Sequence, residues 1–492
     1  MTAEVSRERL HPDFPAAAKN LLRDVQLRQN VRHATDVITA KREVVVDEME
    51  DWQALRSAGS AIRQNVLDNL DSYLVQFEEA CTRAGGQVHW AINAADAKRI
   101  AIDLLKAHSA EEVLKVKSMT TEEIGLNEAL ANTGIRVHET DLAELIIQLG
   151  NDKPSHIVVP ALHKNRQQVR AIFQREMHLP DLGDKPEDLT AAARSYLREK
   201  FLRIPVAISG ANFLVAETGS VCVVESEGNG RMCLTLPNTL ITIAGIEKVI
   251  PRFRDLEVFL QTLPRSATGE RMNPYNSVWT GTYPGDGPQE FHIILLDNGR
   301  SEILADPEAQ QTLKCIRCGA CQNVCPVYRQ TGGHAYGSVY AGPIGAILTP
   351  QLEHSRQSAS LPYASSLCGA CYEVCPVQIN IPEVLIHLRG QIVRREQATV
   401  GGKVGLWNIG MQVAASIFVS GDRLALAQHL GRVGQKPFIG KSGFIKHLPL
   451  VLGGWTQTRD LMPLPEQSFR QWWSQHEKAS RPSVDISDGG RV

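Results

Sequence analysis

The sequence predicts a multidomain protein: an α/β domain, then a compact cysteine-bearing module, then a small and mostly helical C-terminal domain. Three observations lead there. Helix-length stretches alternate with short Val, Ile and Leu runs between positions 61 and 300. Seven of the ten cysteines fall between Cys315 and Cys375. A length of 492 residues exceeds what one core holds, and three domains are the natural expectation.

Composition sets the outer bounds. Hydrophobic residues make up 43% and charged residues 22%, the balance of an ordinary globular chain. A net charge of −2 gives no argument for a nucleic-acid partner. Met1 to Phe14 mixes Glu4, Arg7, Glu8 and Arg9 with few apolar residues and lacks the basic-then-apolar pattern of a secretory signal. Cysteines that cluster instead of spreading favour metal binding over disulfide staples, so a cytoplasmic location is expected.

Residues 1–60 read as a charged, helical N-terminal segment, with no Pro or Gly from Ala18 to Asp47. Further helical stretches run over Ala61–Ala84 and Ala95–Ala107. The runs Ile157–Pro160, Val206–Ile208, Val221–Val224, Leu240–Ile243 and Phe291–Leu296 read as short buried strands. Strands alternating with helices over 61–300 point to an α/β layer with a mostly parallel sheet. Within it, Glu217-Thr218-Gly219-Ser220 joins two apolar runs. Its amides could form an anion-binding nest, and an ordinary hairpin whose polar groups satisfy one another is the plainer reading. His138, Glu139 and Asp141 precede Leu142, Leu145, Ile146 and Leu149 at helical spacing, so helix capping is expected there. Cys222 and Cys233 read as core thiols. No G-x-G-x-x-G follows a strand, so no dinucleotide site is evident.

The module over 301–395 carries the chemistry. Cys315-Ile-Arg-Cys318-Gly-Ala-Cys321-Gln-Asn-Val-Cys325-Pro326 has the bacterial ferredoxin spacing C-x2-C-x2-C-x3-C-P. Three thiolates from one tight loop reach three irons of one cubane, and the fourth, just before Pro326, points at another cluster. Cys368-Gly-Ala-Cys371-Tyr-Glu-Val-Cys375-Pro376 repeats that ending, and alignment on the first run puts Ser365 where a further cysteine would be. Crossing the ligands, as two-cluster ferredoxins do, gives an assignment. Cys315, Cys318, Cys321 and Cys375 hold a first 4Fe-4S cluster. Cys325, Cys368 and Cys371 hold a second, which lacks a fourth thiolate. That cluster is either a 3Fe-4S species beside the Ser365 hydroxyl or a 4Fe-4S species whose last iron is held by water or by Ser365. Zinc also takes C-x2-C pairs, but it has no use for the doubled x3-C-P ending. Electron transfer is the role expected of such a module, ahead of substrate chemistry at an open iron.

Beyond the module, 396–492 forms the C-terminal part. Val404–Gly421 is uncharged but shorter than the ~20 strongly apolar residues a membrane span needs, and reads as a buried helix. The polar tail from Ser480 reads as disordered.

With those residues set out, the chain resembles the lactate-utilisation protein B (LutB) family of iron–sulfur proteins over nearly its full length. The resemblance rests on Ser209–Pro237, on Cys315–Leu348 with its glycine-rich continuation, and on Leu361–Val384. It implies a LUD-type α/β domain, a ferredoxin-like two-cluster module and a family-specific C-terminal domain. It also implies that the chain is the electron-carrying subunit of a non-NAD system oxidising L-lactate to pyruvate. That subunit acts with lactate-utilisation proteins A and C and is not a stand-alone enzyme. All seven clustered cysteines carry over from the family, and the non-cysteine at Ser365 departs from the eight-cysteine ferredoxin rather than from this family. Two rivals stand beside it. One is a quinone-linked subunit with peripheral membrane contact through 404–421. The other is a regulatory module sensing an anion and redox state.

Overall fold

The computed structural model describes residues 12–399, 405–457 and 459–480, in two compact units divided between Ile392 and Val393. The readings made for the first eleven residues and for the tail beyond Ser480 lie outside the described residues.

In the first unit, six strands form an all-parallel sheet in the order β1-β10-β7-β4-β2-β3. They are β1 Gln87–Ala91, β2 Glu112–Lys115, β3 Arg136–Glu139, β4 Val206–Ser209, β7 Thr239–Gly245 and β10 Glu290–Leu296. The middle strands β4 and β7 are buried throughout. A parallel strand covered on both faces must be apolar along its length, which is why these runs stand out in the sequence. One face of the sheet packs Ile241, Ile243, Ile294 and Leu296 against Ala97, Ala101 and Leu105 of the helix Ala94–Ala107. The other face packs Leu240, Phe291, Ile293 and Leu295 with Phe77, Phe173 and Leu197.

A smaller sheet, in the order β8-β5-β6-β9, comprises β5 Phe213–Val215, β6 Ser220–Glu225, β8 Val249–Ile250 and β9 Tyr275–Trp279. β5 and β6 form an antiparallel hairpin, as the plainer reading expected. Thr218 and Ser220 share a hydroxyl contact of 2.7 Å, and Glu217 accepts the Phe253 amide at 2.8 Å. Gly219 has φ 68°, and a Cβ there would lie 2.2 Å from the Cys81 nitrogen, so only glycine fits this turn.

The Ile157–Pro160 run is not a strand. His156 Nδ1 accepts the amides of Val158 and Val159 at 3.1 and 3.0 Å, and the Ser155 amide donates to the Pro160 carbonyl. The side chain thereby captures donors that a sheet ladder would require. Asp141 caps the helix Leu142–Leu149, accepting from Ala143 and Glu144, whereas His138 and Glu139 end β3 instead.

The N-terminal helices Phe14–Leu21, Val25–Asp47 and Trp52–Asp68 pack on the cysteine module. Leu27 and Val31 share one core with Cys318, Cys321, Cys325, Cys371 and Cys375. In the second unit, Leu406–Phe418, Gly421–Gln435 and Phe469–Ser480 are helical. The helix expected within Val404–Gly421 is there, but it is not buried: Met411 is 54% and Phe418 72% exposed. Apolar composition argued for burial, yet this unit offers no core to receive it; among its described residues Ile445 alone is buried.

Candidate metal centre

Both cysteine loops follow the same backbone course. In the first, Arg317 and Gly319 have φ 61° and 75°; in the second, Leu367 and Gly369 have φ 54° and 87°. Left-handed Arg and Leu are costly conformations that persist only when surroundings impose them. The Arg317 amide donates to Cys315 Sγ at 3.4 Å, and the Leu367 amide donates to Ser365 Oγ at 3.1 Å. A short helix follows each turn, Ala320–Val324 and Ala370–Glu373. Ser365 therefore occupies in the second loop the place that Cys315 occupies in the first.

The loops interleave. Cys315, Cys318 and Cys321 line one cavity together with Cys375 of the second loop, bounded by Ile344 and Ile379. Cys325 of the first loop instead neighbours Cys368 and Cys371. Cys321 in turn neighbours Cys371, so the two groups of thiols adjoin. Five of the seven are buried, Cys315 is half-buried and Cys368 is exposed.

Burial pushes the Cys375 thiol to about 11 and Cys371 to about 12, and it raises Cys318, Cys321 and Cys325 as well. Backbone amides oppose it: Ala320 at Cys318, Ile344 at Cys321, Val327 and Tyr328 at Cys325, and Val377 and Ile379 at Cys375. Amides aimed at sulfur favour the thiolate, and a buried thiolate needs a compensating cation. A single zinc does not suit this spacing. Tetrahedral zinc at about 2.3 Å from each sulfur requires sulfurs about 3.8 Å apart. Among the described residues no three of these sulfurs lie within 4.8 Å of one another. A cluster that gives each thiolate its own iron spreads its ligands farther, and the donor set fits that group.

Residues far away in sequence hold the loops. Arg56 donates to the carbonyls of Cys375 and Tyr372 at 2.9 and 3.0 Å, and Arg42 to Val374 at 3.2 Å. Arg63 donates to the Leu313 and Val249 carbonyls at 2.8 and 2.9 Å. Arg317 reaches Glu247 at 3.4 Å, and Glu247 also pairs with Arg300. Burial pushes the Glu247 carboxyl up, but Arg300 and Arg317 outweigh it and hold it at about 2. Burial takes Lys248, beside this network, down to about 7. Arg42, Arg56, Arg63, Glu247 and Arg300 escaped the sequence reading because no motif marks them; their role arises only where the helices and β7 meet the loops.

A parallel LUD-type sheet joined to paired cysteine loops defines an iron–sulfur protein of a two-domain class. The LUD domain family matches residues 74–296, and the 4Fe-4S dicluster domain family matches residues 311–379. Lactate utilization protein B of Bacillus licheniformis is 45% identical over 459 residues, covering 92% of this chain and 94% of that protein. Its counterpart in Bacillus subtilis is 43% identical over 462 residues, with coverages of 92% and 94%. The uncharacterized electron transport protein YkgF of Escherichia coli K12 is 41% identical over 483 residues, with coverages of 94% and 97%. The chain belongs to the lactate utilization protein B family. Among the described residues no helix is long and apolar enough to cross a membrane.

Proposed function

We propose that this chain is the iron–sulfur electron carrier of a cytoplasmic system that oxidises L-lactate to pyruvate, working with partners of the lactate-utilisation A and C type. The observation that carries the reading is the interleaving of the two loops, with Cys375 in the cavity of Cys315, Cys318 and Cys321. Those four residues would hold one 4Fe-4S cluster. Cys325, Cys368 and Cys371 would hold the second, with Ser365 at the fourth position. Bound there, the clusters supply one-electron storage. The chain's own contribution is positional. Buried loops exclude water from the first group, backbone amides stabilise thiolate charge, and the adjoining of Cys321 and Cys371 gives electrons a short route between the groups. The exposed Cys368 puts the second group at the surface, where a partner can exchange electrons with it. The names of the relatives support the lactate assignment.

Anaerobic purification with iron, sulfide and paramagnetic resonance analysis tests this. About eight irons are expected, or about seven for a three-iron second cluster. Zinc without acid-labile sulfide would remove the claim. Cys318→Ser should abolish the first cluster and growth on lactate together; normal growth without that cluster would refute its place in lactate oxidation. Peripheral membrane contact is a second reading, favoured by the exposed Met411, Val413, Phe418 and Val419. Cell fractionation separates the two, since only the second places the protein with membranes.

A further inference from the structure

On the sheet face covered by the helix Ala94–Ala107, well outside the cysteine loops in sequence, three side chains converge: His108, Glu290 and His292. β10 supplies Glu290 and His292 two residues apart, so both project to one face. His108 caps the C-terminus of the helix, where the dipole favours positive charge. We propose that these three residues form a binding site for one zinc-type divalent cation.

The distances carry the argument. Glu290 Oε2 lies 3.3 Å from His108 Nε2 and 3.5 Å from His292 Nε2, and the three ligand atoms all lie within 4.8 Å of one another. Both separations exceed a good charge-assisted hydrogen bond, which runs at about 2.7–2.9 Å. They match the edge of a coordination tetrahedron: bonds of about 2.1 Å to nitrogen and oxygen place ligands about 3.4 Å apart. His292 is 4% exposed in its side chain, yet its Nε2 has no hydrogen-bond partner. A buried ring nitrogen left so is an orphan that a metal would satisfy. Its other nitrogen is accounted for: His292 Nδ1 lies 3.1 Å from His89 Nε2. With Nδ1–H donating to His89, Nε2 presents its lone pair to the cation, the outer-shell arrangement common to metal-bound histidine. Glu290 is 43% exposed in its side chain, which gives the ion an entry path and leaves a coordination position open to water.

A second convergence, of Asp152, His163 and His334, differs in the respect that matters. The Lys164 ammonium already pairs with Asp152, His163 Nδ1 contacts the Ser155 hydroxyl at 2.7 Å, and His334 donates to the Lys153 carbonyl at 2.9 Å. It serves as a control.

The test is equilibrium dialysis of the anaerobically purified full chain against Zn²⁺, with zinc and iron counted separately and the zinc absorption edge analysed. One zinc per chain is expected, surrounded by nitrogen and oxygen and no sulfur. Glu290→Gln and His108→Asn should each weaken binding at least tenfold while iron content stays unchanged, and His163→Ala should leave zinc uptake intact. Affinity should fall as pH drops through the histidine range, because protons compete for the ring nitrogens. No zinc uptake, sulfur at the zinc, or unaltered uptake in both Glu290→Gln and His108→Asn would overturn the site.

Discussion

Ser365 sits where Cys315 sits in the sister loop, its oxygen accepting the same amide two residues on. Ser365→Cys should therefore place a thiolate at the second cluster. Thiolate is a softer ligand than hydroxyl or water, so iron should be retained more firmly, and any three-iron paramagnetic signal should fall as a fourth iron enters. Identical spectra and iron content in both proteins would mean that position 365 does not face the cluster. A different residue sets a pH dependence. Burial raises the Glu144 carboxyl to about 8, with Lys117 opposing and Glu139 and Glu122 reinforcing. The folded state then holds a proton that the unfolded state has released, so its contribution to stability is lost as pH rises from the ordinary carboxylate range through about 8. In Glu144→Gln, the drop in melting temperature between pH 6 and 8.5 should shrink relative to the parent. The cysteine ladder and the Ser365 gap were legible in the sequence because ligand spacing is local. Glu144 was not, because its burial depends on how β3 and the following helix pack.

Elements far apart in the chain meet at the second cysteine loop. The helix Trp52–Asp68 sends Arg56 to two of its carbonyls, adding a charged donor to the backbone amides of Gln378 and Cys375 that those carbonyls also accept. A hydrogen bond to a charged group contributes about 1.5–3 kcal/mol. Arg56→Ala should therefore lower the melting temperature and speed loss of iron from the loop, measured by the decay of cluster absorbance in air. Unchanged decay would show that the helix does not brace the site. Strands were unevenly legible for a related reason. β4, β7 and β10 carry long apolar runs because both their faces are covered. β1, β2 and β3 carry His89, Lys115 and His138, and they are strands because parallel neighbours complete their ladders. Ile157–Pro160 misled in the opposite direction, since its amides go to His156.

At the scale of the molecule, the α/β domain and the cysteine loops belong to one compact unit, with the N-terminal helices in the same core as the thiols. The domain thus contributes directly to the surroundings of the first cysteine group, through Glu247 and Lys248 in the short turn that follows β7. The crossing of ligands between loops is the central claim, and paramagnetic resonance of the reduced protein in four single variants tests it most directly. Cys375→Ser should perturb the same cluster signal as Cys318→Ser, and Cys325→Ser the same signal as Cys371→Ser. If Cys375→Ser instead perturbs the signal lost in Cys371→Ser, each loop holds its own cluster and the crossed assignment is wrong.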